Sequence, residues 1–206
     1  GAVKILVGDT SKGAGADASL TGGDTLVPSG TTGGSVFVTG GYSSQTTSGA
    51  VFVTSANAGT TGVSGKLVFS TGTTSSGDSG AIELSTGAST NGRAGALTVE
   101  VGSGDSGNGG EISIAAGTAT AEGTTGGHIS LTAGDGFTEV EQTGGAVAVS
   151  GGSGKKEAGA VEITGGSSDL HSGGSIHLVS GDGSATSSGS VILKSGNAGD
   201  SGSSGY

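Results

Sequence analysis

The sequence predicts an all-β fold, a single-domain β-solenoid (parallel β-helix) of about thirteen coils that spans residues 1–206. Three observations predict it. Apolar residues recur in alternation about every fifteen residues along the chain. Gly supplies 49 of the 206 residues, and there is no Cys, Met or Trp from which to build a conventional core. Any core must therefore be thin, and we expect a flat, narrow cross-section.

The repeat unit reads Gly, any, apolar, any, apolar, any, small, Gly, and these positions are numbered here as places one to eight. Clean examples are Gly34–Gly41, Gly80–Gly87 and Gly159–Gly166. The unit at 16 is degenerate, because Ala16 and Ala18 replace Gly and a larger apolar residue. The units begin at residues 1, 16, 34, 49, 65, 80, 95, 110, 127, 145, 159, 174 and 189.

Places three and five alternate as in a strand with one buried face, because successive side chains of a strand point to opposite sides. We therefore expect one inward apolar pair in each coil. Place three is occupied by Val3, Ala18, Val36, Val51, Leu67, Ile82, Leu97, Ile112, Ile129, Val147, Val161, Ile176 and Val191. Place five is occupied by Ile5, Leu20, Val38, Val53, Phe69, Leu84, Val99, Ile114, Leu131, Val149, Ile163, Leu178 and Leu193.

The remainder of each unit predicts a second short strand and two turns, so that parallel stacking pairs every strand with its neighbours. Gly at places one and eight is suited to the corners. Extra residues within Ala121–Gly126 and Thr138–Gly144 are interpreted as turn insertions on one edge. Leu26, Val27 and Pro28 are candidates to cover one end of the stack.

Composition excludes several classes of protein. The net charge of −10 and the pI near 4.4 disfavour nucleic acid and anionic membrane as partners, because both would repel the chain. No apolar run is long enough to cross a bilayer, and no charged-then-apolar leader is present. Without Cys there is neither a disulfide nor a thiolate metal site.

Three kinds of residue suggest chemistry that their spacing does not support. Gly-Asp-Ser-Gly occurs at 77–80, 104–107 and 199–202 and resembles the nucleophile segment of trypsin-like proteases, but Asp-Ser between glycines is typical of turns. His128, His171 and His177 occupy different places and do not converge as metal ligands would. Asp recurs near place eight without the nonapeptide of calcium-binding β-rolls. The sequence predicts no enzyme, no metal site and no cofactor.

Hydroxyl residues dominate two outward columns of the predicted solenoid, and these columns are the candidate functional surface. Strand and rung spacing would arrange them as a lattice of hydroxyls and methyls. The alternative is that Thr is simply a favourable exposed strand residue. The candidates after the apolar segment are Thr73, Ser75, Thr90, Ser103, Thr118 and Thr120. Those at place six are Thr21, Thr39, Thr54, Ser70, Ser85, Thr132, Ser150 and Thr164.

Short repeats rich in Gly, Ser, Thr and Ala, without disulfides or catalytic groups, resemble the hyperactive type of ice-binding (antifreeze) protein. The resemblance covers the whole chain. It implies a flat Ser/Thr/Ala face that orders water and adsorbs to ice, with ice as the partner. Similar Gly/Ser-rich repeats occur in secreted proteins of aquatic microbes and algae, which implies a secreted, extracellular location.

The alternative function is an extracellular structural or adhesive fibre. The repeat begins at Gly1 and runs through the last unit into a Gly/Ser tail, so exposed strand edges would invite self-association end to end. A carbohydrate-binding or carbohydrate-cleaving solenoid is a third interpretation. It is disfavoured because Phe37, Tyr42 and Phe52 are too few to form aromatic platforms.

Overall fold

The computed structural model describes residues 1–26, 31–136 and 142–205. Within these ranges the chain has no helix and no strand, so there are no element bounds to give. Its local structure consists of short bends that alternate with the apolar segments. Two units are distinguished, Gly1–Val99 and Glu100–Tyr206. Val27, Pro28 and part of the Thr138–Gly144 insertion lie outside the described residues.

The bends recur at the period of the sequence repeat, and each follows one apolar segment. The repeat is therefore a structural period as well as a sequence period. In the first unit the bends lie at 11–13, 44–46, 60–62, 75–77 and 90–92. In the second unit they lie at 105–108, 121–123, 155–156, 169–171 and 184–186, and a turn follows at 200–201.

Many loops between apolar segments are closed by one backbone hydrogen bond. The N–H of a place-one Gly donates to the carbonyl oxygen of the place-eight Gly before the loop, as Gly49 does to Gly41 across 2.8 Å. We call this paired position the neck, and a loop with a bonded neck a closed loop. The closed loops are 23–34, 41–49, 117–127, 134–145, 152–159, 166–174 and 181–189.

The other loops between described repeats lack this bond and are called open loops: 8–16, 56–65, 72–80, 87–95 and 102–110. Place seven separates the two classes. Closed loops have Gly, Ala or Ser there: Gly22, Gly40, Ala116, Ala133, Gly151, Gly165 and Ser180. Open loops have Val7, Ser55, Thr71, Thr86 and Val101. Ser55 differs from Ser180 in its neighbour, because Ala56 replaces the place-eight Gly.

The side chain at place seven explains the difference through the space it fills. In the open loop 102–110, a Cβ on Gly110 would lie 2.6 Å from Cγ1 of Val101. In the closed loop 41–49, a Cβ on Gly49 would lie 3.0 Å from the backbone N of Gly41. A β-branched side chain therefore occupies the position at which the two backbones meet in a closed neck.

The prediction of an all-β solenoid, or β-helix, with a flat cross-section is wrong for the described residues, because they form no strand. In a solenoid, place one of each coil would lie over place one of the coil before it. In the closed loops place one is bonded instead to the preceding place eight, which a solenoid would put at the opposite corner. Residues after place eight in these loops therefore close a local loop and do not return as a second strand.

The composition of one repeat accounts for this outcome. Two apolar side chains are too few to offset the conformational entropy lost when about fifteen backbone residues become ordered. Only backbone pairing between coils would offset the rest. The described residues form nine backbone–backbone hydrogen bonds, whereas a folded domain of this length forms about 140.

The predicted inward pairs are exposed to solvent. The accessible surface is 20452 Å², against about 8,300 Å² for a folded globular chain of this mass. None of the described large apolar side chains is buried. The exposed fraction nevertheless differs between the two places: Val36 at place three is 47% exposed and Val38 at place five is 69% exposed. Place three is less exposed than place five after open loops as well as after closed loops, as at Ile82 and Ile112.

Candidate functional site

The exposed apolar pairs, defined as the residues at places three and five of each repeat, are the most prominent surface feature. In the first unit Val51 and Val53 are both exposed, and in the second unit Val161 and Ile163 are as well. Aromatic side chains add to this surface at place four, where Phe37 and Phe52 are almost fully exposed. Each repeat therefore presents to water the side chains that ordinarily form a core.

The fourteen candidate hydroxyl residues are all exposed. Ser75 and Thr90 lie in bends, and the remaining twelve lie in segments without a strand. Thr21 shares a hydrogen bond of 3.2 Å with the hydroxyl of Ser19. No sheet among the described residues holds these side chains at strand and rung spacing. Their role in ice binding stays a prediction.

Other hydroxyls form the bends of open loops, and the sequence reasoning missed them. The hydroxyl of Thr10 donates to the carbonyl of Lys12 at 2.9 Å, and that of Thr74 donates to the carbonyl of Ser76 at 3.0 Å. In each case the backbone N–H of the same residue two positions on donates back to the hydroxyl. A Thr three residues before a Gly is the signal that could have found these turns.

Glycine in the left-handed backbone region ends most of these bends. Gly77 has a φ of +99° and ends the bend at 75–77. A side chain at this φ is strained, whatever space surrounds it. Gly13 and Gly62 also have a positive φ and end the bends of open loops, and Gly107 has a positive φ within the bend at 105–108 of an open loop. Gly123 has a positive φ and ends the bend of the closed loop 117–127.

The turn interpretation of the Gly-Asp-Ser-Gly segments agrees with the structure at two of the three copies. Residues 105–107 lie in a bend, and Gly202 donates its N–H to the carbonyl of Gly199 at 3.2 Å. The copy at 77–80 begins on the last residue of a bend. His171 also lies in a bend, where its backbone N–H donates to the hydroxyl of Ser168 at 3.1 Å.

The part of the chain that the structure describes contains no group of three or more His, Asp or Glu side chains placed to hold a metal ion. No pocket opens among the described residues. None of the described segments forms a helix long and apolar enough to span a membrane. The features available for recognition are therefore the exposed apolar pairs, the free hydroxyls and the acidic charge.

Comparison with protein-family models, with curated proteins and with solved structures finds no match to this chain.

Proposed function

We propose that this protein is a structural repeat protein whose chains associate with one another into fibres. The observation that carries the proposal is the exposure of an apolar pair in repeat after repeat. Water-exposed apolar side chains favour association, because burial removes them from water. A chain that presents them at a regular period offers many equivalent points of attachment to a second chain.

The magnitudes favour association over many repeats at once. A side chain that is half to three-quarters exposed gains about 1–2 kcal/mol when a partner covers it. One pair thus contributes about 2–4 kcal/mol, which falls short of the 4–15 kcal/mol lost in translational and rotational freedom. About eight pairs exceed the whole of that range, even at the lower contribution per pair. Association is therefore expected to be cooperative along the repeats and negligible for a single repeat.

The acidic charge sets the expected salt dependence. The net charge of −10 repels one chain from another, and at physiological ionic strength such repulsion is screened beyond about 8 Å. Added salt should therefore accelerate association. A partner held by opposite charge would show the reverse dependence.

The direct test is to follow the purified chain at micromolar concentration by sedimentation and negative-stain electron microscopy. A double variant, Val99→Ser with Val149→Ser, removes two place-five side chains, and Thr98→Ser with Ala148→Ser changes their immediate neighbours as the control. Because each lost side chain removes about 1–2 kcal/mol, the double variant should raise the concentration threshold for fibres about tenfold or more. A wild-type chain that remains unassembled at every salt concentration would refute the proposal.

Ice adsorption is a second candidate function, supported by a separate observation. Thirteen of the fourteen candidate hydroxyl residues form no hydrogen bond within the described part of the chain, so their hydroxyls are free for ordered water. Thermal hysteresis and ice recrystallisation should be measured on soluble and on assembled protein. Thr118→Tyr and Thr54→Tyr should each weaken an ice effect, and no effect from either form of the protein would exclude this function.

A further inference from the structure

Five consecutive closed loops, from 117 to 189, form a tract that differs from the four consecutive open loops before it, from 56 to 110. The tract begins at the neck of Gly117 and Gly127 and ends at that of Gly181 and Gly189. Both stretches carry the same apolar pairs. In the closed tract, however, each neck already holds two successive apolar segments at a defined backbone distance.

We infer that the described residues of the closed tract, 117–136 and 142–189, form the surface on which a second copy of this chain first docks, in parallel and in register. This inference rests on the proposed function. Its physical basis is preorganisation: a loop that is closed before association has already lost the closure entropy that an open loop loses on binding. The first contact between copies is therefore least costly where closed loops are consecutive.

The identity of the occupant follows from the irregular spacing of the tract. The repeats along it begin at 110, 127, 145, 159, 174 and 189, so that the first three units differ in length from one another and from the last two, which are equal. A partner of uniform period would fall out of register after one or two units. A second copy reproduces the same order of lengths and brings every apolar pair opposite its own equivalent.

The parallel register has an electrostatic consequence that can be measured. It places Glu162 beside its equivalent in the neighbouring copy. Like charges in direct apposition repel. The docking step should thus be the most salt-sensitive stage of assembly, and Glu162→Gln should shorten the lag before fibres appear.

The decisive experiment opens the necks while keeping every apolar pair. A neck variant, Gly151→Val with Gly165→Val and Ser180→Val, places β-branched side chains at place seven of three closed loops. A Cβ on Gly151 would collide with the carbonyl oxygen of Gly159, and a Cβ on Gly165 with that of Gly174. The matched control, Ala160→Val with Ser175→Val and Ser190→Val, adds the same three valines on the opposite arm of the same necks.

The two variants separate preorganisation from hydrophobicity. Added valine increases apolar surface in both, so hydrophobicity alone predicts that both assemble at least as fast as wild type. We expect instead that the neck variant lengthens the lag about tenfold while the control does not lengthen it. Equal lags for the two variants, or a faster neck variant, would overturn the inference and leave the proposed function intact if wild-type fibres form. Absence of wild-type fibres would refute both.

The register is tested separately on assembled protein. The chain has no Cys, so Thr164→Cys introduces a single site for a nitroxide spin label. In-register parallel copies stack this label on itself, and the electron paramagnetic resonance spectrum should collapse toward one exchange-narrowed line. Well-separated three-line spectra in the fibres would exclude the parallel register.

Discussion

The tracts 56–110 and 117–189 carry the same apolar pairs, yet the first contains four open loops and the second five closed loops. Length does not account for the difference, because the open loop 72–80 and the closed loop 166–174 span equal numbers of residues. Place seven accounts for it, together with Gly at places eight and one. A single side chain beside the neck therefore decides whether the backbone bond forms.

The bends of the two tracts differ as well. In the tract 56–110 the bends at 60–62, 75–77 and 90–92 end on a glycine, and positive φ occurs at Gly62, Gly77 and Gly107. In the tract 117–189 one described glycine, Gly123, has a positive φ, and the closed loops 152–159, 166–174 and 181–189 bend without such a glycine. Loops without a neck bond thus depend on the bend itself for their shape, whereas closed loops are also held at their ends.

The largest effect is expected from Gly77→Ala in the open loop 72–80. Alanine at a φ of +99° is strained by about 1–2 kcal/mol, so the population of this bend should fall about fivefold or more. Backbone scalar couplings and nuclear Overhauser effects across residues 74–78 measure that population. Gly72→Ala is the matched control, because its Cβ meets no atom within 4 Å. Equal loss of the bend in both variants would contradict the role assigned to the left-handed glycine.

A somewhat smaller effect is expected from Gly40→Val in the closed loop 41–49. Its Cβ would collide with the carbonyl oxygen of Gly49, and the neck bond contributes about 0.5–1.5 kcal/mol. Exchange of the Gly49 amide hydrogen should therefore accelerate about two- to tenfold, as measured by nuclear magnetic resonance. Thr39→Val changes the neighbouring residue at place six and should leave the exchange unchanged, because Val179 occupies place six before the closed loop 181–189. Persistence of the Gly49 bond in Gly40→Val would disprove the steric rule.

The converse change, Val101→Ala, should convert the open loop 102–110 into a closed one. The variant has alanine at place seven, as the closed loops 117–127 and 134–145 do at Ala116 and Ala133. A through-bond coupling from the Gly110 amide to the Gly102 carbonyl should appear, with about two- to fivefold slower exchange of the Gly110 amide. Val101→Thr keeps the β-branch and should remain open. Closure by both variants would show that β-branching at place seven is not what keeps this loop open.

The smallest effect is expected from Thr74→Val, which removes the two hydroxyl bonds of the bend at 75–77. These bonds are exposed to water and contribute about 0.5 kcal/mol together. The Ser76 amide should exchange about twofold faster. Thr73→Val changes the preceding hydroxyl, which makes no such bond, and should have no effect on Ser76. A larger change in Thr73→Val than in Thr74→Val would reverse this assignment.

The period of the chain could be predicted from the sequence, and the burial of its apolar residues could not. Alternation at Val161 and Ile163 indicates the residues of one face, but it carries no information on whether anything covers that face. The two apolar residues of a repeat are too few to order fifteen others. The repeat pattern contains the small residue at place seven. That this residue controls loop closure follows only from the backbone geometry around Gly40 and Val101.

The candidate site was predictable to the same extent. Thr54, Thr118 and the other hydroxyl residues are exposed, but so are the apolar pairs, and exposure therefore does not test their assignment to outward columns. Their spacing relative to one another depended on a sheet, and none forms among the described residues. The repeat pattern does not single out Thr10 and Thr74, although a Thr followed three residues later by Gly is a recognisable turn signal.

The closed necks also determine how the chain responds to tension. Rupture of the single hydrogen bond between Gly189 and Gly181 releases the loop that it closes. Eight residue steps separate the two glycines, which corresponds to about 27 Å of extended chain at about 3.4 Å per residue. Each further neck releases a comparable length for the same small cost. A fibre built from such chains would lengthen in many small, reversible steps and dissipate work before any covalent bond or chain-to-chain contact carried the full load.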